Sequence, residues 1–197
     1  MKGVVLGCGL VLVGVVLVLG LAMAGSYNSL VKLDENVKNK WGQVENVYQR
    51  RADLVPNLVE TVKGAAAFEK DTFTAVTEAR AKVGQVNLGN QVPDAQQMQK
   101  FQAAQDGLGS ALSRLLVVVE KYPELKATQN FRDLQAQLEG TENRIAVERK
   151  RFNDAAQEYN TARRRFPTVF LAPILGFAER PYFQAAPGSD KAPQVKF

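Results

Sequence analysis

Residues 3–24 read GVVLGCGLVLVGVVLVLGLAMA, with no charged side chain and no strong polar group. Wound as a helix at about 1.5 Å per residue, such a run spans roughly 33 Å, enough for a hydrocarbon core near 30 Å. Lipid offers the backbone no hydrogen-bond partner, so a single crossing segment has to be helical. Residues 1–25 are therefore expected to form a transmembrane anchor, with the lipid bilayer as the partner of residues 3–24. A cleaved signal peptide has a shorter apolar core, about 7–15 residues, although Ala22, Ala24 and Gly25 could supply a cleavage site. A lipid attached at Cys8 would need the apolar core ahead of it, where only residues 2–7 stand. Lys2 on one flank and Lys32, Lys38 and Lys40 on the other leave the Lys/Arg bias almost balanced, so the side of the soluble part is undetermined. The spacing Gly3-x-x-x-Gly7 permits close helix contact and leaves a homo-oligomer open.

Histidine is absent from the 197 residues, which removes the commonest general base, metal ligand and near-neutral pH switch together. The single cysteine, Cys8, excludes an intrachain disulfide and a Cys/His metal site. Two-metal carboxylate bundles need Glu-x-x-His, and no phosphate loop, nucleotide fingerprint or nucleophile elbow occurs. The expectation is a non-enzymatic chain with no catalytic residues, metal or cofactor. The net charge of +5 is small beside 25 basic and 20 acidic residues. Arg144, Arg149, Lys150 and Arg151 are interleaved with Glu142, Glu148, Asp154 and Glu158, a mixed face rather than a phosphate track, so no nucleic-acid partner is expected.

Beyond Ser26, read as an N-cap, the pattern is amphipathic. Leu30, Leu33, Val37, Trp41, Val44 and Tyr48, then Val55, Leu58 and Val62, follow steps of three and four, the helical heptad period. The series skips a place at Arg51, and Pro56 should bend the helix. A second stretch after Gly64 aligns Phe68, Thr72, Val76, Ala79, Val83 and Val86. A loop is expected at 87–90. A third runs from Asp94, a good N-cap, through Phe101, Leu108, Leu112, Leu115, Val119 and Tyr122. A fourth runs from Pro123 to Arg165 through Phe131, Leu134, Leu138, Ile145, Phe152 and Tyr159 towards Phe166. No stretch alternates with period two. The expected fold is all-α: a transmembrane helix plus an extended antiparallel up-down bundle over 26–166, four helices, or three if the first two soluble stretches are continuous through Gly64.

With the first and fourth helices each about 60 Å long, the fourth should return to the membrane end. There Arg163, Arg164 and Arg165 precede an apolar segment, 167–183, too short and proline-broken to span. Two readings stand for Phe166, Phe170, Leu171, Ile174 and Phe177: they cap the bundle, or they meet lipid or a partner at the interface. Residues 184–197 read as a disordered tail.

Arg50, Arg51 and Asp53 precede Pro56 and Asn57. Proline leaves the carbonyl of Ala52 without its helical donor, which an arginine or a cross-helix polar group could replace. Equal rise in two antiparallel helices puts Arg51 opposite about Thr141, within one or two turns of Glu142 and Glu148. Either a partly buried Arg51–Glu142 or Arg51–Glu148 pair sets the register, or Arg51 snorkels to solvent.

The segments Tyr27-Asn-Ser-Leu-Val31, Val37…Trp41 and Tyr48-Gln-Arg-Arg-Ala-Asp-Leu-Val-Pro-Asn-Leu-Val-Glu-Thr-Val-Lys63 resemble the LemA family of bacterial membrane proteins. So do the Ala79-Arg80 pair and the closing Arg151-Phe-Asn-Asp, Tyr159-Asn-Thr-Ala-Arg and Phe166-Pro167 blocks. The resemblance implies an anchored helical bundle in a bacterial cell membrane, single-pass, with no established biochemical activity. The expectation is a membrane-anchored scaffold or interaction protein with a protein partner of unidentified kind. The alternative is a lipid-binding or membrane-organising module acting through its basic and aromatic C-terminal segment.

Overall fold

The computed structural model describes residues 2–63, 70–86 and 91–185; the side chains of 2–12, 15, 16, 18, 19, 22 and 70 are not among those described. Six helices follow one another among the described residues: α1 (Lys2–Lys63), α2 (Lys70–Gln85), α3 (Ala95–Val119), α4 (Pro123–Lys126), α5 (Gln129–Arg164) and α6 (Thr168–Ile174). No strand occurs among them. Gly64, Phe68, the loop 87–90 and the tail from 186 onward lie outside the described residues.

Helix α1 runs 62 residues without a cap at Ser26, joining the expected anchor to the bundle as one element. Among the described residues no helix is long and apolar enough to cross a membrane. Most side chains of the expected span 3–24 lie outside the described set.

The bundle forms because each helix buries one stripe. Helix α5 packs antiparallel along α1, and α2 packs against α3. Arg51 meets Glu142 across the first pair, one residue from the register that equal rise gives. Helix α2 runs back along α1: Arg80 Nε donates to the carbonyl of Ala52 at 3.2 Å. In one continuous helix those two residues would stand about 42 Å apart, so the three-helix alternative does not hold. The same bond answers the proline. Pro56 lies inside α1 and has no N–H for the Ala52 carbonyl, and Arg80 supplies the donor from the next helix.

Local chemistry sets the other helix ends. Asp94 caps α3 by accepting from Gln97 N at 2.8 Å, while the Gln97 side chain accepts from Asp94 N. The expected fourth helix is divided. Pro123 opens only one turn, α4, and Thr128 restarts the chain as the N-cap of α5, its hydroxyl accepting from Phe131 N. Helix α5 ends at Arg164, so Phe166 is not the last residue of its buried stripe; it is 82% exposed.

The buried residues fall into two clusters. One joins Leu30, Val37, Trp41 and Tyr48 of α1 to Phe101 of α3, Phe152 and Tyr159 of α5, Ala172 of α6 and Phe183. The other joins Val55, Leu58 and Val62 to Leu108, Leu112, Leu115, Phe131 and Leu138. Between them, along all three long helices, lies a polar layer of buried Arg51, Gln105 and Thr141.

Candidate functional site

Arg51 occupies the place in α1 where the heptad series skips, and only 4% of it is exposed. Its Nη1 donates to Glu142 Oε1 at 2.6 Å. Its Nη2 donates to the Gln105 carbonyl at 2.9 Å and to Gln105 Oε1 at 2.5 Å. The guanidinium carbon also sits 5.1 Å from the centre of the Tyr48 ring. One cation thus ties α1 to α3 and to α5. A guanidinium suits this place because its planar fork can address two directions at once.

Glu142 is the partner; Glu148 is not. Glu148 pairs on its own helix with Arg151 at 2.7 Å. The rest of the motif faces outward. Arg50, Pro56 and Asn57 are exposed, and Asp53 accepts from Gln49 on the surface at 2.8 Å. Beside the polar layer opens a cleft of about 560 Å³ lined by Tyr48, Arg51, Ser110, Arg114, Glu142 and Arg149. Burial pushes the Tyr48 phenol above its ordinary pKa, with Arg149 and Arg51 pulling the other way. No group of His, Cys, Asp and Glu that could hold a metal ion occurs among the described residues.

The second region is the end of the bundle where α5 stops. Ser29 and Arg165 line one surface cleft there, and Tyr27 meets Phe177 edge to face at 5.7 Å, so α5 and α6 return to the middle of α1. The apolar residues divide. Phe177 and Leu171 are half-buried, and Phe177 packs against the core. Phe166, Phe170 and Ile174 are 82%, 68% and 81% exposed, four residues apart in sequence. The arginines divide as well. Arg163 Nε donates to the Phe177 carbonyl at 2.8 Å, Arg164 pairs with Glu179 at 2.8 Å, and Arg165 is exposed.

Sequence reasoning missed what lies beyond Phe177. Asp34 reads as helix surface, yet it is 8% exposed and pairs with Arg180 at 2.5 Å, 146 residues away. Phe183 stacks against Trp41, with ring centres 6.1 Å apart, and Gln184, placed at the start of the tail, is held by Gln102 and Arg149. The one signal available was the aromatic pair in Pro181-Tyr-Phe183 on an otherwise polar stretch.

Comparison with known proteins places this geometry. The LemA family profile matches residues 40–197, about four-fifths of the chain. Magnetosome protein MamQ 2 of Paramagnetospirillum magneticum is 31% identical over 181 residues, covering 83% of this chain and 66% of the relative. Magnetosome protein MamQ of Magnetospirillum gryphiswaldense is 30% identical over 181 residues, with the same shares covered. Protein LemA of Metamycoplasma hominis is 22% identical over 162 residues, 82% of this chain and 70% of the relative. The chain spans just under two thirds of the length of the MamQ relatives it matches. By the profile match and these identities, the chain belongs to the LemA family.

Proposed function

We propose that the chain is a membrane-anchored, non-enzymatic helical scaffold of the LemA type, held in a bacterial cell membrane by residues 3–24. The carrying observation is the bare face of Phe166, Phe170 and Ile174 beside exposed Arg165, at the end of the bundle that points along α1 towards the apolar run. Three large apolar side chains next to a cation suit a lipid interface, where rings sit among headgroups and arginines meet phosphates. The anchor and the α6 face then form two contacts with one surface, and the long polar faces of the bundle remain for a protein partner. The missing histidine and the mixed-sign surface support a role without catalysis or nucleic acid.

Alkaline extraction of membranes tests the anchor. The chain should stay in the pellet, and Val13→Arg with Leu17→Arg should release it. An unaltered chain that washes off would remove the proposal. The α6 contact is tested separately by placing a reporter there. Phe170→Trp should be quenched by brominated lipid while buried Trp41 is not, and vesicles that leave the new tryptophan unquenched would confine the membrane contact to the anchor.

A further inference from the structure

Residues 177–184 leave α6 and are held in a groove formed by α1, α3 and α5. The body reads this segment as it would a peptide. Three carboxamides each give and take one bond with the backbone of a single residue. Asn160 donates to the Arg180 carbonyl at 2.8 Å and accepts from Arg180 N at 3.0 Å. Asn153 does the same for Phe183 at 3.0 and 2.8 Å, and Gln102 for Gln184 at 2.7 and 3.3 Å. Reciprocal pairing of this kind is what a neighbouring strand offers an extended chain, and it satisfies the backbone whatever the side chains are.

Selectivity comes from two anchors. Arg180 gives two bonds to Asp34 Oδ1, at 3.1 and 2.5 Å, and the Asp34 carboxylate is only 11% exposed. Phe183 is 6% exposed, in a ring cluster with Trp41, Phe101 and Phe152, and Arg149 lies over its face at 4.7 Å. The groove is thus built for an extended segment with arginine at one place and phenylalanine three residues on. No bond in it depends on the segment's being covalently joined to this body. The joint runs through the short helix α6 and through Gly176, whose φ of 79° is open to glycine and strained for other residues.

We propose that the groove also takes residues 177–184 of a second copy, so that two chains exchange these segments. The contacts are the same within one chain and between two, so local concentration sets the balance. In that respect the inference rests on the proposed anchoring: copies tethered in one bilayer hold their grooves at one height and meet often.

Two measurements on the full chain test it. The first adds a labelled synthetic peptide of residues 177–185 to Arg180→Ala/Phe183→Ala, which keeps the groove and cripples its resident. Binding should be saturable and about tenfold tighter than to the unaltered chain, and adding Asn153→Ala and Asn160→Ala should weaken it by about tenfold or more. If that double variant loses helicity, Arg180→Ala alone takes its place. A helical variant that binds no peptide overturns the proposal. The second mixes light and isotopically heavy chains carrying Tyr182→p-benzoylphenylalanine, in vesicles and in detergent, and irradiates them. Exchange gives crosslinks from the segment of one isotope to α1 or α5 of the other, whereas crosslinks confined to one isotope in both media refute it. Failure to associate with vesicles counts against anchoring alone, because the detergent sample still reports exchange.

Discussion

A buried guanidinium is costly wherever a direction it points in goes unanswered; Arg51 is answered by Glu142 and twice by Gln105, while its buried Nε has no hydrogen-bond partner. Because Glu142 is 45% exposed, solvent shares in neutralising the pair. Glu142→Ala, which leaves the cation buried, should cost about 1–3 kcal/mol in chemical denaturation. Arg51→Met, which removes the charge and keeps the volume, should cost less than Glu142→Ala, and the opposite order would show that the pair contributes net stability rather than register. Glu45, also on α1, gives a separate response to acid. Burial raises the carboxyl pKa of Glu45, with the Trp41 indole opposing. Its folded pKa therefore stands above the unfolded one, so its ionisation weakens the fold as pH rises through that interval. Glu45→Gln should raise the melting temperature at pH 7 and change it little below pH 4. Arg51 was visible in the sequence because it breaks an apolar period, and helix geometry narrowed its partner to Glu142 or Glu148 while leaving a snorkelling Arg51 open; the structure selects Glu142. Gln105 stands in the same kind of gap, four residues after Phe101 and three before Leu108 on the buried stripe of α3, and was passed over because a lone uncharged side chain on a stripe names no partner.

Among the elements, α1 carries an internal fault and α2 supplies its repair. Removing the repair should be expensive only while the fault remains. Arg80→Ala is expected to cost about 1–2 kcal/mol, since it leaves the buried Ala52 carbonyl unpaired. In a Pro56→Ala background, where residue 56 regains its N–H, the same change should cost distinctly less. Equal costs in both backgrounds would mean that the carbonyl finds another donor. In the segment after α6 the Phe183 ring is the most deeply buried side chain, and Phe183→Ala should cost about 3–5 kcal/mol, read as a lower denaturation midpoint. Helix positions were legible because three long amphipathic stripes keep their period on both sides of the polar places at Arg51, Gln105 and Thr141. The division at Thr128 was not, because proline marks a permitted helix start and does not say how many turns follow. The 177–184 run was least legible. It has no period, its backbone is satisfied by side chains from two distant helices, and its ion pair closes over 146 residues of sequence.

For the whole molecule, the polar layer divides the interior into two apolar clusters, so neither can slide along the other without displacing Arg51. A bundle organised in this way should unfold in one step, and loss of the two-state transition in Arg51→Ala would reveal the clusters as separate units. At the far end of scale stands α1, helical from Lys2 to Lys63 with no loop between the apolar run and the bundle. A helix of this length, roughly 93 Å, behaves as a shaft rather than a leash. A head on a leash wanders freely over whatever holds its tail. A head on a shaft can only lean when the shaft leans, and it turns when the shaft turns. A rotation or tilt imposed on the first turns of α1 is therefore passed on to the bundle, and a load on the bundle is felt as torque at the other end.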